Sequence, residues 1–253
     1  MTNLEILNLL HDRYLEIYSR EKLKCLRGTN EDNYILNGKN ILEWHSEATK
    51  GLKRDFNSFE NIDNLLYISD SIMYFTAQLY FFRPFLYNPV ENPIVIRDKK
   101  YYPYHMSLSD RRYFMFCEIT FEKIYTFWSQ IAILLAASID EEIDYRRIYF
   151  PTILQKVNNQ DCESFSWLDK FAKNEYAEFN SHRKMIVHHR SLETKFRSDH
   201  IKSFSIKEEM EKLVRERDEL PEYFRNHIEL TLIGFEKAIN LVSKINIQKQ
   251  SYT

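Results

Sequence analysis

Residues 179–191, FNSHRKMIVHHRS, bring Arg183, Lys184 and Arg190 together with His182, His188 and His189 in a chain whose formal net charge is only −2. Arg183 and His188 stand in an R-x4-H spacing, and His189 offers R-x5-H as an alternative. Imidazole gains or loses a proton near neutral pH, and a guanidinium offers a planar fork of donors to the oxygens of an anion. The combination fits proton transfer beside a bound phosphate and requires no metal.

The elements that carry these residues constrain how they can meet. Phe165, Leu168, Ala172, Tyr176, Phe179, Arg183, Ile186 and Arg190 follow a three-and-four spacing, one stripe of a helix over 165–187. Arg183 is thereby written into a buried face. A guanidinium costs on the order of several kcal/mol to desolvate alone, so this position implies a carboxylate partner, a bound phosphate or a wet cavity, unless the side chain snorkels at a bundle edge. On an ideal helix His188 lies about 140° from Arg183, and His189 about 120° away on the other side. A joint site therefore requires the helix to end or bend near Val187, or the histidine to meet the arginine of a second subunit. The apolar helix DRRYFMFCEITFEKIYTFWSQIAILLAA carries Glu118 and Glu122 one turn apart on one face. They are either a solvated edge or a carboxylate pair of which one member meets Arg183.

Length and composition define the frame. The 253 residues are 44% apolar, enough for a substantial core, and Lys plus Arg (35) nearly balance Asp plus Glu (37), so any anion site is local. Four glycines and six prolines fall between long periodic segments, which predicts an all-α helical bundle. Helices are expected over 3–26, 41–56, 59–82, 109–137, 140–158, 165–187, 206–217 and 221–245, with Ser109 or Ser107 capping the fourth. IVIRDKKYY reads as a small hairpin turning at Asp98 and Lys99. Residues 1–58 are read as accessory helices on a bundle made by 59–253. Cys25, Cys117 and Cys162 are odd in number and far apart, which fits a reducing compartment. The N-terminus lacks the basic start and unbroken apolar run of a signal peptide, and Glu118, Glu122 and Lys123 interrupt the most apolar stretch. A cytoplasmic location with no membrane partner is expected.

Other chemistries have weaker support. The sequence has no H-E-x-x-H, no paired cysteines and no phosphate-binding glycine loop, so no metal or cofactor is expected. The basic run 188–202 is diluted by Glu193 and Asp199, EEMEKLVRERDEL reads as a solvated face with one-turn ion pairs, and the tyrosines and phenylalanines read as core.

HRKMIVHH near the end of a core helix in an all-α chain resembles the HEPN superfamily (higher eukaryotes and prokaryotes nucleotide-binding domain), over about residues 59–245. The resemblance implies a metal-independent endoribonuclease, toxins and phage-defence effectors among its kin, working as a homodimer in whose cleft the arginine and histidine of both protomers meet. Toxin members pair with an antitoxin partner. Arg183 then matches the family arginine and His188 the family histidine, as catalytic residues. His189, Asn180, Lys184 and Arg190 are the candidate binding residues for RNA or a nucleotide, and Glu118 and Glu122 the supporting carboxylates. Where the family typically has Asn, Asp or His after the arginine, this chain has Lys184. Members that have lost turnover persist as regulatory RNA- or nucleotide-binding modules, the alternative reading, beside that of a purely structural helical protein.

Overall fold

The computed structural model describes residues 2–28, 33–52, 56–139, 143, 148–157 and 161–250. Ten α-helices occupy these residues: α1 (Asn3–Glu21), α2 (Ile41–Ala48), α3 (Ser58–Phe82), α4 (Leu108–Ala137), α5 (Phe150–Lys156), α6 (Glu163–Lys173), α7 (Glu175–His188), α8 (Leu192–Ser203), α9 (Lys207–Asp218) and α10 (Leu220–Gln250). Two antiparallel hairpins complete them, β1 (Ile35–Leu36) with β2 (Lys39–Asn40), and β3 (Ile94–Ile96) with β4 (Lys99–Tyr101). The fold is all-α, as the spacing of apolar residues and the scarcity of glycine predict.

Local chemistry sets the helix ends. Ser107, rather than Ser109, starts α4: its Oγ accepts from Asp110 N at 3.1 Å while its own N–H donates to Asp110 Oδ2 at 2.8 Å, a reciprocal cap. Asn40 caps α2 by accepting from the amides of Leu42 and Glu43. The helix expected over 165–187 is two helices. Asn174 leaves the helical conformation (φ −108°, ψ −89°), and its side-chain amide donates to Lys170 O at 2.9 Å, a local bond that competes with the helix ladder. Ser191 starts α8, a helix over the basic run that the sequence reading left unassigned, by accepting from Thr194 N at 3.2 Å. Of the helix expected over 140–158, residues 140–142, 144–147 and 158 lie outside the described residues, and α5 takes up the rest.

The β3–β4 turn is at Arg97 and Asp98, one residue earlier than expected, with Ile96 paired to Lys99. Both turn residues have positive φ (50° and 61°) without a glycine. The first hairpin turns at Asn37 and Gly38 (φ 50° and 78°), an Asn-Gly signal of a two-residue turn that the sequence reading passed over.

The chain divides into two compact units. Met1–Leu23, Met73–Glu122 and His182–Asn226 form the first; Lys24–Ile72, Lys123–Ser181 and His227–Thr253 form the second. In the first, Phe121 packs edge-on to Phe224 with ring centres 4.8 Å apart, and Phe114 meets Phe196 at 5.0 Å. The second is centred on fully buried Trp128, whose ring lies 4.3 Å from that of Phe171 and 4.9 Å from that of Phe150.

Gly234 of α10 lets the helix backbone reach that indole, since a Cβ there would stand 2.1 Å from Trp128 Cη2. Gly234→Ala is therefore expected to destabilise the protein by about 1–3 kcal/mol despite alanine's better helix propensity, because overpacking outweighs the propensity gain of about 1 kcal/mol. A lowered urea midpoint with unchanged slope is the result to look for; an unchanged or raised midpoint would contradict the packing argument.

Two buried histidines give a pH dependence. His45, in the second unit, has Nε2 3.1 Å from Asn61 Oδ1, and His200, in the first, has Nδ1 2.7 Å from Phe196 O, so His200 Nδ1 is the protonated nitrogen. Burial holds both below the ordinary histidine value, and for His200 the Arg217 charge adds to the effect. The unfolded chain thus binds protons that the folded chain refuses. The stability these groups contribute is present above about pH 6.5 and is lost as pH falls through their folded values. Thermal melts stepped downward from neutrality should show this loss, and His45→Gln with His200→Gln should flatten it.

Candidate functional site

All the site residues except Asn180 lie in the first unit, carried by α4, the second half of α7 and the residues between α7 and α8. Arg183 keeps the buried-face position that the stripe predicts: its side chain is 14% exposed, and Nη2 lies 3.2 Å from Oε2 of Glu122, which is 44% exposed. The carboxylate partner implied by a buried guanidinium is therefore Glu122. Glu118, one turn back on α4, has a different task. Its Oε1 accepts from Leu192 N at 2.7 Å, so a carboxylate meets a free amide at the start of α8, where the helix dipole also favours negative charge. Burial raises the Glu118 carboxyl above its usual range, and the Leu192 amide opposes that shift.

α7 closes as soon as it passes Val187. His189 N and Arg190 N both donate to Met185 O, each at 3.1 Å, which ends the helix where a joint arginine–histidine site requires an end or bend. His188, His189, Lys184 and Arg190 are all exposed. They fall on different sides of the helix. His189 lines a cleft of about 530 Å³ together with His182, Arg190 and Lys195, while neither Arg183 nor His188 is part of its wall. Within one chain the cleft thus gathers His189 and Arg190 and includes neither member of the R-x4-H pair. Asn180 belongs to the second unit, is 4% exposed, and donates from Nδ2 to Tyr149 OH at 3.0 Å. That engagement keeps it from presenting its amide to a solvent-borne phosphate.

Lys195 belongs to the basic run 188–202 that the sequence offers as a path for an RNA backbone, whereas the apolar floor beneath it is not part of that reading. The signal was there: Leu192, Phe196 and His200 recur one helical turn apart and are all buried, so the stretch that reads as a basic run has a core-facing side. Among the described residues no group of three or more His, Cys, Asp or Glu side chains is placed to hold a metal ion, and no helix is long and apolar enough to cross a membrane.

A family model described as Cthe2314-like HEPN matches residues 96–243, more than half of the chain. The chain belongs to this HEPN family. The match runs from the end of β3, through α4, and well into α10, so every site residue discussed above lies inside the HEPN region. No curated protein and no solved structure matches the chain.

Proposed function

We propose that this HEPN protein is a metal-independent endoribonuclease whose site forms where two copies meet, with Arg183 and His188 of each contributing. The observation that carries the reading is the arrangement at the end of α7: Arg183 is fixed at the buried face by Glu122, while His188 stands exposed about 140° around the helix. Side chains set that far apart around one helix point away from a common phosphate. Two copies joined across this helix end bring the histidine of each toward the arginine of the other.

One histidine takes the proton of a ribose 2′-OH, whose oxygen then forms a bond to phosphorus as the P–O5′ bond breaks. The other, protonated, gives its proton to the leaving O5′. Arg183 offsets the charge on the phosphorane, and exposed Lys184, His189 and Arg190 hold neighbouring phosphates. The products are a 2′,3′-cyclic phosphate and a 5′-hydroxyl, and DNA is not cut because it lacks the nucleophile.

A second reading, RNA or nucleotide binding without turnover, is favoured by Lys184 after the arginine and by the ion pair that occupies Arg183. Incubation of mixed RNA with the protein in excess EDTA tests both. Cyclic-phosphate ends support the nuclease; binding without cleavage across varied RNAs supports the module; neither result would leave the RNA reading without support.

A further inference from the structure

The cleft beside the end of α7 has a composition that the R-x4-H chemistry does not use. Its floor is apolar, from Phe121, Ile186, Leu192 and Phe196, with Met185 and Leu220 at the sides. Its volume of about 530 Å³ lies within the range of small-ligand sites. Arg190 and Lys195 put two cations on the rim beside the imidazoles of His182 and His189, and Asp199 and Glu216 bring two carboxylates to the same cleft. Those carboxylates are only loosely engaged along their own helices, Asp199 with Lys202 at 3.6 Å and Glu216 with Lys212 at 3.8 Å, so both can turn toward a ligand.

We infer that this cleft is a base-selecting pocket that receives one unstacked nucleobase of single-stranded RNA, an inference that rests on the RNA reading above. A planar ring, apolar on both faces and attached to phosphates, matches an apolar floor whose rim carries Arg190 and Lys195. Arg190 and Lys195 contact the backbone on either side of the flipped base. The acidic pair sets the preference. A carboxylate accepts from an exocyclic amino group, as cytosine N4 offers, and repels the O4 acceptor that uracil presents in the same place. Asp199 and Glu216 are thus specificity-determining residues for amino-bearing bases, and His189 belongs to this pocket rather than to the reacting phosphate.

Binding of 2′-O-methyl oligonucleotides, which lack the nucleophile and cannot be cut by 2′-OH attack, isolates the pocket from catalysis. Fluorescence anisotropy should show an oligouridylate carrying one cytidine bound about tenfold more tightly than plain oligouridylate, the discrimination expected of one hydrogen-bonded base contact. Met185→Trp, which fills the cleft from an exposed position, should abolish that preference, and Met185→Leu should keep it. Asp199→Asn with Glu216→Gln should flatten it while total affinity stays the same or rises. Equal binding of both oligonucleotides by wild type, or a preference untouched by Met185→Trp, overturns the pocket. If the same preparation still cleaves RNA, only the pocket has failed. If wild type neither binds nor cleaves any RNA, the pocket and the functional reading fail together.

Discussion

Alanine at Arg183 or at His188 is expected to lower RNA cleavage by about 10²–10⁴-fold, the range that a proton-transferring side chain or a donor to the developing phosphorane supplies. The two losses should differ in kind. Removing the imidazole takes away proton transfer and leaves ground-state contacts in place, so kcat falls while KM holds. Removing the guanidinium takes away charge that both substrate and phosphorane feel, so KM rises as well. Arg183→Lys keeps the charge without the two-pronged donor geometry and should recover only part of the rate. Folding is a smaller concern than the burial of Arg183 implies. The carboxylate left behind, Glu122, is 44% exposed and can be solvated. Circular dichroism and sedimentation of both variants should match wild type. Cleavage by either alanine variant at the wild-type rate would sink the assignment.

Glu122 itself supplies an internal control. As a positioning residue it meets the guanidinium at 3.2 Å and touches no reacting atom in the proposed chemistry. Glu122→Gln can still hydrogen-bond Arg183, so cleavage should change by only a few fold, roughly what one charge-assisted contact is worth over a neutral one.

The parts of this protein that were legible in its sequence are those set by periodicity. Arg183 on the Phe165-to-Ile186 stripe follows from counting residues around a helix, and a glutamate partner from α4 and a helix end near Val187 are among the alternatives that the count leaves open. What periodicity could not reveal was set by single side chains or by non-local packing. Asn174 splits one helical pattern into α6 and α7 through its bond to Lys170 O, without disturbing the apolar spacing on either side. α8 was hidden because its charges read as a basic run, while of its four buried residues, Leu192, Phe196, His200 and Ser203, only the first two are apolar. The cleft depends on side chains from α4, α7, α8, α9 and the start of α10, which no linear pattern brings together.

The charged helix α9 conceals the largest stability effect. Its sequence reads as a solvated face, and Lys207–Glu211 and Lys212–Glu216 do form one-turn surface pairs. Arg217 departs from that pattern, since its side chain is 2% exposed and its Nη1 lies 3.6 Å from Asp110 Oδ1, a carboxylate with no exposed surface. Around this pair the Arg217 guanidinium donates to Tyr87 O at 2.8 Å and to Asp218 Oδ1 at 2.9 Å, while Tyr104 OH donates to Asp110 at 2.9 Å and Tyr113 OH to Arg217 O at 2.7 Å. Tyr104 in turn stacks on His200 with ring centres 4.4 Å apart, which ties the network to α8 and so to one wall of the cleft. Asp110→Ala would leave a buried guanidinium with less counter-charge, four donors (Tyr87 N, Ser107 N, Ser107 Oγ and Tyr104 OH) without their acceptor, and α4 with only the Ser107 Oγ half of its reciprocal cap. The expected cost is about 3–5 kcal/mol. Much of that cost belongs to the stranded charge rather than to the pair. Arg217→Met added to Asp110→Ala should therefore cost less than the sum of the two single changes, a coupling that urea melts of the four proteins measure directly. Strict additivity would mean that the two charges do not sense each other, and that the tyrosines alone hold this corner of the unit together.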